Sequence, residues 1–287
     1  MSKNRLNGKV IKGITSRYYV DTVQGVKFVL ARKKVKNFGE ILVGDFVELS
    51  EECGTFIIEN VLPRRNKLIR PYVANVDICL IVVAPLPKPD FLLVDKIIIN
   101  CLVEGIKPIL VANKSDISEI NELSEYKNIV DIYSCSATSG EGIERLLNSL
   151  DGKTVCFAGQ SAVGKSSIIN AVLQTDKLQT SALSKKSQRG KHTTRQTELL
   201  RIGNCFLIDT CGFSLLDAVD LEPERLRLYF DEFELLQPLC QFRACTHLNE
   251  PNCAVKSEVG ISVSLGRYER YKAIYEELVE KRNNKFN

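Results

Sequence analysis

Gly159-Gln160-Ser161-Ala162-Val163-Gly164-Lys165-Ser166, continued by Ser167, is a complete GxxxxGK[ST] phosphate loop. It follows the apolar run TVCFA and precedes the helix-like KSSIINAVL, the strand–loop–helix context such a loop requires. Backbone N–H groups of the tight turn aim at phosphate oxygens, and the following helix presents its positive end to the anion. Lys165 would bridge the β- and γ-phosphates, and Ser166 would ligate Mg2+. Asn113-Lys114-Ser115-Asp116 follows another buried run, KPILVA. An Asp carboxylate there can accept from N1–H and the 2-amino group of guanine. Adenine offers neither donor, so it would leave a buried charge unpaired at a cost of about 1–3 kcal/mol. Asn113 would brace the loop and reach the N7 edge, and the stem of Lys114 would cover a ring face. Ser136-Ala137 ends a further strand, where the Ala137 amide could donate to guanine O6. Together these motifs specify GTP rather than ATP.

Asp209-Thr210-Cys211-Gly212 closes the run NCFLI. Asp209 would hold Mg2+ through water, and the Gly212 amide would sense the γ-phosphate. The next residue is Phe213, which cannot position water as the usual Gln does. His192, in Gly190-Lys191-His192-Thr193-Thr194, is the candidate to replace it, and Thr193 or Thr194 would reach Mg2+. His192 could equally be a plain loop residue or an RNA contact. Residues 177–201 hold seven basic side chains, Lys185, Lys186 and Arg189 among them, against the single acid Glu198. Such a run is either a solvated loop or a sensor of RNA phosphate.

Cys240-x4-Cys245-x-His247-x5-Cys253 offers three thiolates and one imidazole, a full tetrahedral set for one structural Zn2+. A short carboxyl-terminal tail has a small core, and a metal would let it fold. A redox cysteine cluster is the competing reading. Of the ten cysteines, Cys79, Cys101, Cys156 and Cys205 lie in apolar runs and read as buried packing. Cys53, Cys135 and Cys211 stand alone.

The elements that must position these groups fall into three textures. At 287 residues the chain is too long for one small core. Its 44% hydrophobic and 26% charged content excludes wholesale disorder. The longest apolar stretch, 91–113, is broken by Asp95, Lys96, Glu104 and Lys107, so nothing spans a bilayer. The opening MSKNRLNGKV lacks a signal-peptide core, which points to the cytoplasm. The net charge of +4 argues against nucleic acid only as an average, because residues 1–70 carry 14 basic and 7 acidic side chains. That segment alternates apolar and polar residues between glycines, as a small all-β barrel does. A five-stranded OB-type barrel over 1–70 fits. Lys33, Lys34, Lys36, Arg64 and Arg65 would be its phosphate contacts, and Tyr18, Tyr19 or Phe28 its stacking platforms. An SH3-like protein-binding barrel remains the alternative. Residues 71–220 alternate strands with helices expected at 91–104, 118–127, 141–150 and 165–173, implying a mostly parallel sheet with helices on both faces. Residues 221–287 read as a small helical zinc-binding domain, with helix over EPERLRLYFDEFELLQ and again near 265–281.

Motif order is the most informative fact. GTPases run phosphate loop, switch Thr, DxxG, NKxD, SA. Here NKSD and SA precede the phosphate loop, so the chain is circularly permuted. The sheet can survive this, since every loop still leaves a strand at its carboxyl end. The DxxG switch then runs straight into the carboxyl-terminal module, and loss of the γ-phosphate is expected to move that module as a semi-rigid body.

The permuted order, GKHTT, DTCG and C-x4-C-x-H-x5-C together resemble the ribosome-small-subunit-dependent GTPase A family (RsgA, also called YjeQ), over almost the whole chain. The resemblance implies a bacterial factor in late maturation of the 30S subunit, with slow GTP hydrolysis stimulated by that subunit. It implies contact with 16S rRNA, GTP and GDP as ligands, Mg2+ with GTP, one zinc ion, a monomeric state and His192 at the catalytic switch position. The family often carries a longer amino-terminal extension; here the barrel begins almost at once. Two rival functions are a GTP-gated RNA-binding scaffold without catalytic purpose and a GTPase of metal delivery.

Overall fold

The computed structural model describes residues 5–14, 17–32, 35, 39–52, 54–69, 72–180, 197–209 and 221–285. Five strands form the first unit: β1 (Arg5–Ile14), β2 (Arg17–Thr22), β3 (Lys27–Ala31), β4 (Phe46–Glu52) and β5 (Thr55–Val61). Their order is β1-β2-β3-β5-β4, and β4 pairs back onto β1, so the sheet closes into a barrel without a free edge. Period-two alternation sends Val10, Val20, Val29, Val47, Leu49 and Ile58 inward, all fully buried. A hairpin of β6 (Lys67–Ile69) and β7 (Tyr72–Ala74) leads out of the barrel.

The second unit is the strand–helix alternation. Strands β8 (Ile78–Val83), β9 (Lys107–Ala112), β10 (Asp131–Ser134), β11 (Thr154–Ala158), β12 (Glu198–Ile202) and β13 (Cys205–Asp209) lie in the order β10-β9-β8-β11-β13-β12. All pairs are parallel except β12 with β13. Helix α1 (Phe91–Val103) covers one face, where Cys79, Cys101 and Cys156 pack with Ile97, Ile98 and Leu110. Helices α2 (Ile143–Asn148) and α3 (Lys165–Thr180) cover the other, over Leu80, Val155 and Leu207, with Cys205 among them. The four cysteines in apolar runs are thus core packing. The stretch expected to be helical at 118–127 holds only a 3-10 helix, Asn121–Tyr126.

The two sheets are continuous. β12 pairs with β1 at Glu198 and Lys12, whose side chains also form a 2.7 Å ion pair. Arg201 adds a two-pronged pair to Asp21, at 3.0 Å on each oxygen. Lys9 reaches from the barrel to donate to Thr154, its ammonium 4.6 Å from the Phe46 ring centroid and 5.0 Å from that of Phe206.

The carboxyl-terminal unit departs from expectation at its start. EPERLRLYFDEFELLQ forms successive 3-10 turns, Pro223–Tyr229, Asp231–Phe233 and Gln237–Leu239, instead of one α-helix. Phe230 is extended (φ −115°, ψ 90°) and breaks the run. Tertiary contacts win over helix propensity here: Phe230 and Phe233 stack at 5.3 Å, and both meet Tyr271 edge-on at 5.0 Å. A single turn α4 (Ala254–Ser257) and the long helix α5 (Leu265–Lys285) complete the unit. Ile99 of α1 belongs to its core. The module is therefore packed on the strand–helix unit and shares its core.

Candidate functional site

Parallel pairing brings the carboxyl ends of β9, β10 and β11 to one edge of the sheet, and with them the three loops carrying NKSD, SA and the phosphate loop. Asn113 joins them. Only 2% exposed, it donates from Nδ2 to the Val163 carbonyl (2.8 Å) and accepts at Oδ1 from the Ala137 amide (3.1 Å). Buried amides are held where both ends are satisfied, so this one side chain sets the spacing of all three loops. The sequence assigns the Ala137 amide to guanine O6; here it donates to Asn113, whose buried Oδ1 needs a donor. Lys114, in a left-handed conformation (φ 62°), donates from Nζ to the carbonyls of Leu86 (2.6 Å) and Ala162 (3.0 Å). The Ser115 amide donates to the Cys135 carbonyl (3.2 Å), and the Ser139 amide donates to the hydroxyl of the buried Ser136 (3.2 Å). Asp116 is exposed.

Two glycines in the phosphate loop are demanded by both conformation and space. Gly159 has φ +118°, and a Cβ there would lie 2.2 Å from the Val82 carbonyl oxygen. Gly164 has φ +97°, and its Cβ would lie 2.2 Å from Asn113 Nδ2. Between them Ser161 and Ala162 are exposed and Val163 is buried. α3 begins at Lys165, and its first free amides, with Ser166 and Ser167 exposed beside them, face the loop. Lys165 Nζ donates to the carbonyls of Gly159 (2.7 Å) and Gln160 (2.5 Å), and burial lowers its pKa. Backbone N–H groups, one ammonium and a helix amino terminus converge as a polyphosphate cradle does. Asp209 is the last residue of β13 and lies in register with Glu198. His192, Thr193, Thr194, Gly212, Lys33, Lys34, Lys36, Lys185, Lys186 and Arg189 lie outside the described residues.

On the barrel, Arg64 and Arg65 are engaged within the protein. Arg64 grips the fully buried Asp45 from Nε (2.7 Å) and Nη2 (2.8 Å) and also donates to the Glu40 carbonyl. Arg65 pairs with Asp77 at 2.6 Å. Tyr18 points into the barrel core, so it is no stacking platform. Phe28 is exposed, with Tyr19 edge-on at 5.3 Å and the Arg17 guanidinium 5.7 Å from its ring centroid.

In the carboxyl-terminal unit, the ligand atoms of Cys240, Cys245, His247 and Cys253 all lie within 4.8 Å of one another. His247 Nδ1 is 3.3 Å from Cys253 Sγ and 3.7 Å from Cys240 Sγ, and those two sulfurs are 3.9 Å apart. A tetrahedron with bonds of about 2.0–2.3 Å has edges of roughly 3.6–3.8 Å, so Cys240, His247 and Cys253 already have a zinc-like spacing, with Cys245 Sγ within 4.8 Å of each. Burial drives Cys245 up to about 12 and raises Cys253. The same burial, helped by Arg227, holds His247 down to about 4. Neutral imidazole is a ligand as it stands, and a bound dication would reverse the bias of the thiols toward thiolate. Nδ1 faces the sulfurs while Nε2 is buried without a hydrogen-bond partner, the Phe233 ring lying edge-on at 5.4 Å. The loop is pinned from α5: Tyr268 and Tyr271 hydroxyls donate to the carbonyls of His247 (2.7 Å) and Thr246 (2.5 Å). Glu250 caps it. Burial alone would raise its pKa, but bonds from the Thr246 hydroxyl and amide and the Leu248 amide outweigh this and hold it at about 2.

The family model of the RsgA GTPase matches residues 61–219, more than half of the chain. The chain belongs to the RsgA GTPase family. It is 39% identical over 298 residues to the small ribosomal subunit biogenesis GTPase RsgA of Caldanaerobacter subterraneus subsp. tengcongensis, covering 98% of this chain and 99% of the relative. The protein of the same name from Thermotoga neapolitana is 41% identical over 251 residues, covering 84% of each. Among solved structures, YjeQ from Thermotoga maritima is similar with a TM-score of 0.81 at 34% identity, covering 96% of this chain and 99% of that one. YloQ, described as a circularly permuted GTPase, gives 0.82 at 29% identity, covering 97% and 96%. The fold is thus an OB barrel, a circularly permuted GTPase unit and a small zinc-binding-type unit, and the chain is a GTP hydrolase. No helix among the described residues is long and apolar enough to cross a membrane.

Proposed function

We propose that this GTPase binds the small (30S) ribosomal subunit and acts in its late maturation, hydrolysing GTP to GDP and phosphate under stimulation by the subunit. The observation that carries the nucleotide part is Asn113, whose two bonds lock the phosphate loop to the two guanine-side loops. The name shared by the relatives, small ribosomal subunit biogenesis GTPase, supports the partner. In this reading Asp116 accepts from guanine N1–H and the 2-amino group, Ser136 and Ala137 border the base, and Gly159–Ser167 wrap the phosphates. Water attacks the γ-phosphorus in line with the leaving oxygen, and Lys165 stabilises the charge that develops. Ser166, Asp209 and Thr193 or Thr194 hold Mg2+, which neutralises phosphate charge when bound. Gly212 senses the γ-phosphate and His192 orients the water when RNA engages the switch.

Cys240, Cys245, His247 and Cys253 hold one zinc ion as a structural staple. Their four protein donors, three of them buried, suit retention rather than delivery. 16S rRNA is contacted by the basic residues Lys33, Lys34, Lys36, Lys185, Lys186 and Arg189, with Phe28 as the stacking platform. Arg64 and Arg65 would have to leave Asp45 and Asp77 to take part, so they serve the barrel first. The protein acts as a cytoplasmic monomer. Competition against fluorescent GDP tests the site: GTP and GDP displace it and ATP does not. Equal displacement by ATP would refute the roles given to Asp116 and Asn113.

A further inference from the structure

The phosphate loop and the metal centre lie on different units, yet the helix α1 touches both units. At its amino end α1 is fastened to the phosphate loop. The Asp90 amide donates to Gln160 Oε1 (3.0 Å), and Gln160 Nε2 donates to the Lys88 carbonyl (3.3 Å). Asp90 in turn caps the helix, accepting from the Leu93 amide (3.0 Å).

Little more than one turn further on, Asp95 is 1% exposed and is the hub of a buried charge cluster. Its Oδ1 accepts from Arg267 Nη1 (2.6 Å) and the Tyr126 hydroxyl (2.7 Å), and its Oδ2 accepts from Arg270 Nε (2.5 Å). Both arginines lie on α5. Arg267, itself 1% exposed, also grips Glu232 of the carboxyl-terminal unit at 2.6 and 3.1 Å, and Arg270 pairs with Glu125 at 2.6 Å. One and four residues beyond Arg267, at Tyr268 and Tyr271, the same helix holds the metal loop. The cluster spans more than 170 positions of sequence and is satisfied at every charged atom named. A buried cluster of that kind has one arrangement, since breaking any pair leaves a charge without water.

The other end can exchange partners. Lys165 Nζ donates to the Gln160 carbonyl, and phosphate oxygens compete for the same ammonium. A phosphate that draws Lys165 away changes what holds Gln160, and the side chain of Gln160 holds α1.

We infer that Gln160, α1 and the Asp95–Arg267–Arg270 cluster form a rigid strut by which the nucleotide state of the phosphate loop is felt at the metal-bearing module, Gln160 serving as the positioning residue. This makes the module a fixed extension of α1, and it rests on the nucleotide reading given above. By reciprocity, whatever grips the module changes nucleotide affinity by the same factor.

Amide hydrogen exchange on the full-length, zinc-loaded protein, with and without saturating GDP and Mg2+, tests it. GDP is expected to slow exchange at 113–115 and 165–168, and also at the first turn of α1 and at Arg267 and Tyr268 of α5, there by roughly fivefold or more. In Asp95→Asn protein the slowing persists at the loop and at α1 and is lost at α5. Arg270→Met, which keeps Arg267 on Asp95, gives the same pattern in weaker form should the first variant fold poorly. In Gln160→Ala protein at saturating GDP the slowing is lost at α1 and α5 together. Undiminished slowing at α5 in these variants, or a protected loop with an unresponsive α5 in the unaltered protein, overturns the strut. A loop that no guanine nucleotide protects overturns the nucleotide reading, and the strut with it.

Discussion

Replacing Gly164 with alanine should separate two costs that are usually mixed. The backbone there has φ +97°, and the new Cβ would stand 2.2 Å from Asn113 Nδ2 and 3.6 Å from Asn113 Cγ. A left-handed conformation costs a non-glycine residue about 1–2 kcal/mol. The contact adds a second cost, because the Asn113 amide must retreat by about 1 Å to reach ordinary packing distance. That retreat breaks the bonds to the Val163 carbonyl and the Ala137 amide, worth about 1 kcal/mol each. Together they are worth about 2 kcal/mol, or roughly 30-fold in GDP affinity. Gly152 supplies the control. It too is left-handed (φ +69°), but nothing lies within 4 Å of its Cβ, so Gly152→Ala carries the backbone cost alone. Urea denaturation of both variants should show a shared loss of about 1–2 kcal/mol and a further loss only in Gly164→Ala. Equilibrium titration with fluorescent GDP should show the affinity loss in Gly164→Ala alone. If Gly164→Ala bound GDP within twofold of the unaltered protein, the bracing role of Asn113 would be wrong.

Three further outcomes are expected. Burial lowers Lys9 from 10.5 to about 8. The folded protein therefore holds fewer protons than the unfolded chain between those values, so stability rises with pH across that window, by up to about 3 kcal/mol. Denaturation at pH 7.5 and pH 10 should show this gain relative to Lys9→Met; a difference between the two proteins that ignores pH would sink it. Zinc chelation should expose Cys240, Cys245 and Cys253 to a thiol reagent while Cys79, Cys101 and Cys156 stay buried in the sheet core. Chelation without new reactive thiols would remove the metal from the account. His192→Ala is expected to keep GTP affinity and to lose about 100-fold in subunit-stimulated turnover; full stimulated turnover in that variant would falsify its catalytic role.

The chemistry was legible in the sequence wherever it rests on local spacing. The phosphate loop, NKSD and the Cys/His set are short patterns whose geometry follows from a turn or a strand end. The helices beginning at Phe91 and Lys165 were legible for the same reason, the second running on to Thr180 beyond the expected 173, as were the buried cysteines. What escaped is non-local. Nothing about Ala137 says that its amide meets Asn113, since that contact depends on β10 lying beside β9. Asp95 looked like an interruption of an apolar run, and only Arg267 and Arg270, far down the chain, explain why it is buried. Arg64 and Arg65 looked like a basic patch, because sequence counts charges without showing that Asp45 and Asp77 answer them. The helix expected over EPERLRLYFDEFELLQ is broken because Phe230 is extended between two 3-10 turns, which brings Phe230 and Phe233 to Tyr271. Pairing of β12 with β1, which fuses barrel and GTPase into one sheet, left no mark in either strand.

The account turns on a GTPase whose working partner is the small ribosomal subunit, and turnover measured with and without that purified subunit tests it most directly. Slow release of phosphate from GTP by the protein alone, rising at least about tenfold with saturating small subunits, about 1.4 kcal/mol off the barrier, is the expected result. Turnover that small subunits leave unchanged, or that large subunits raise equally, would contradict it.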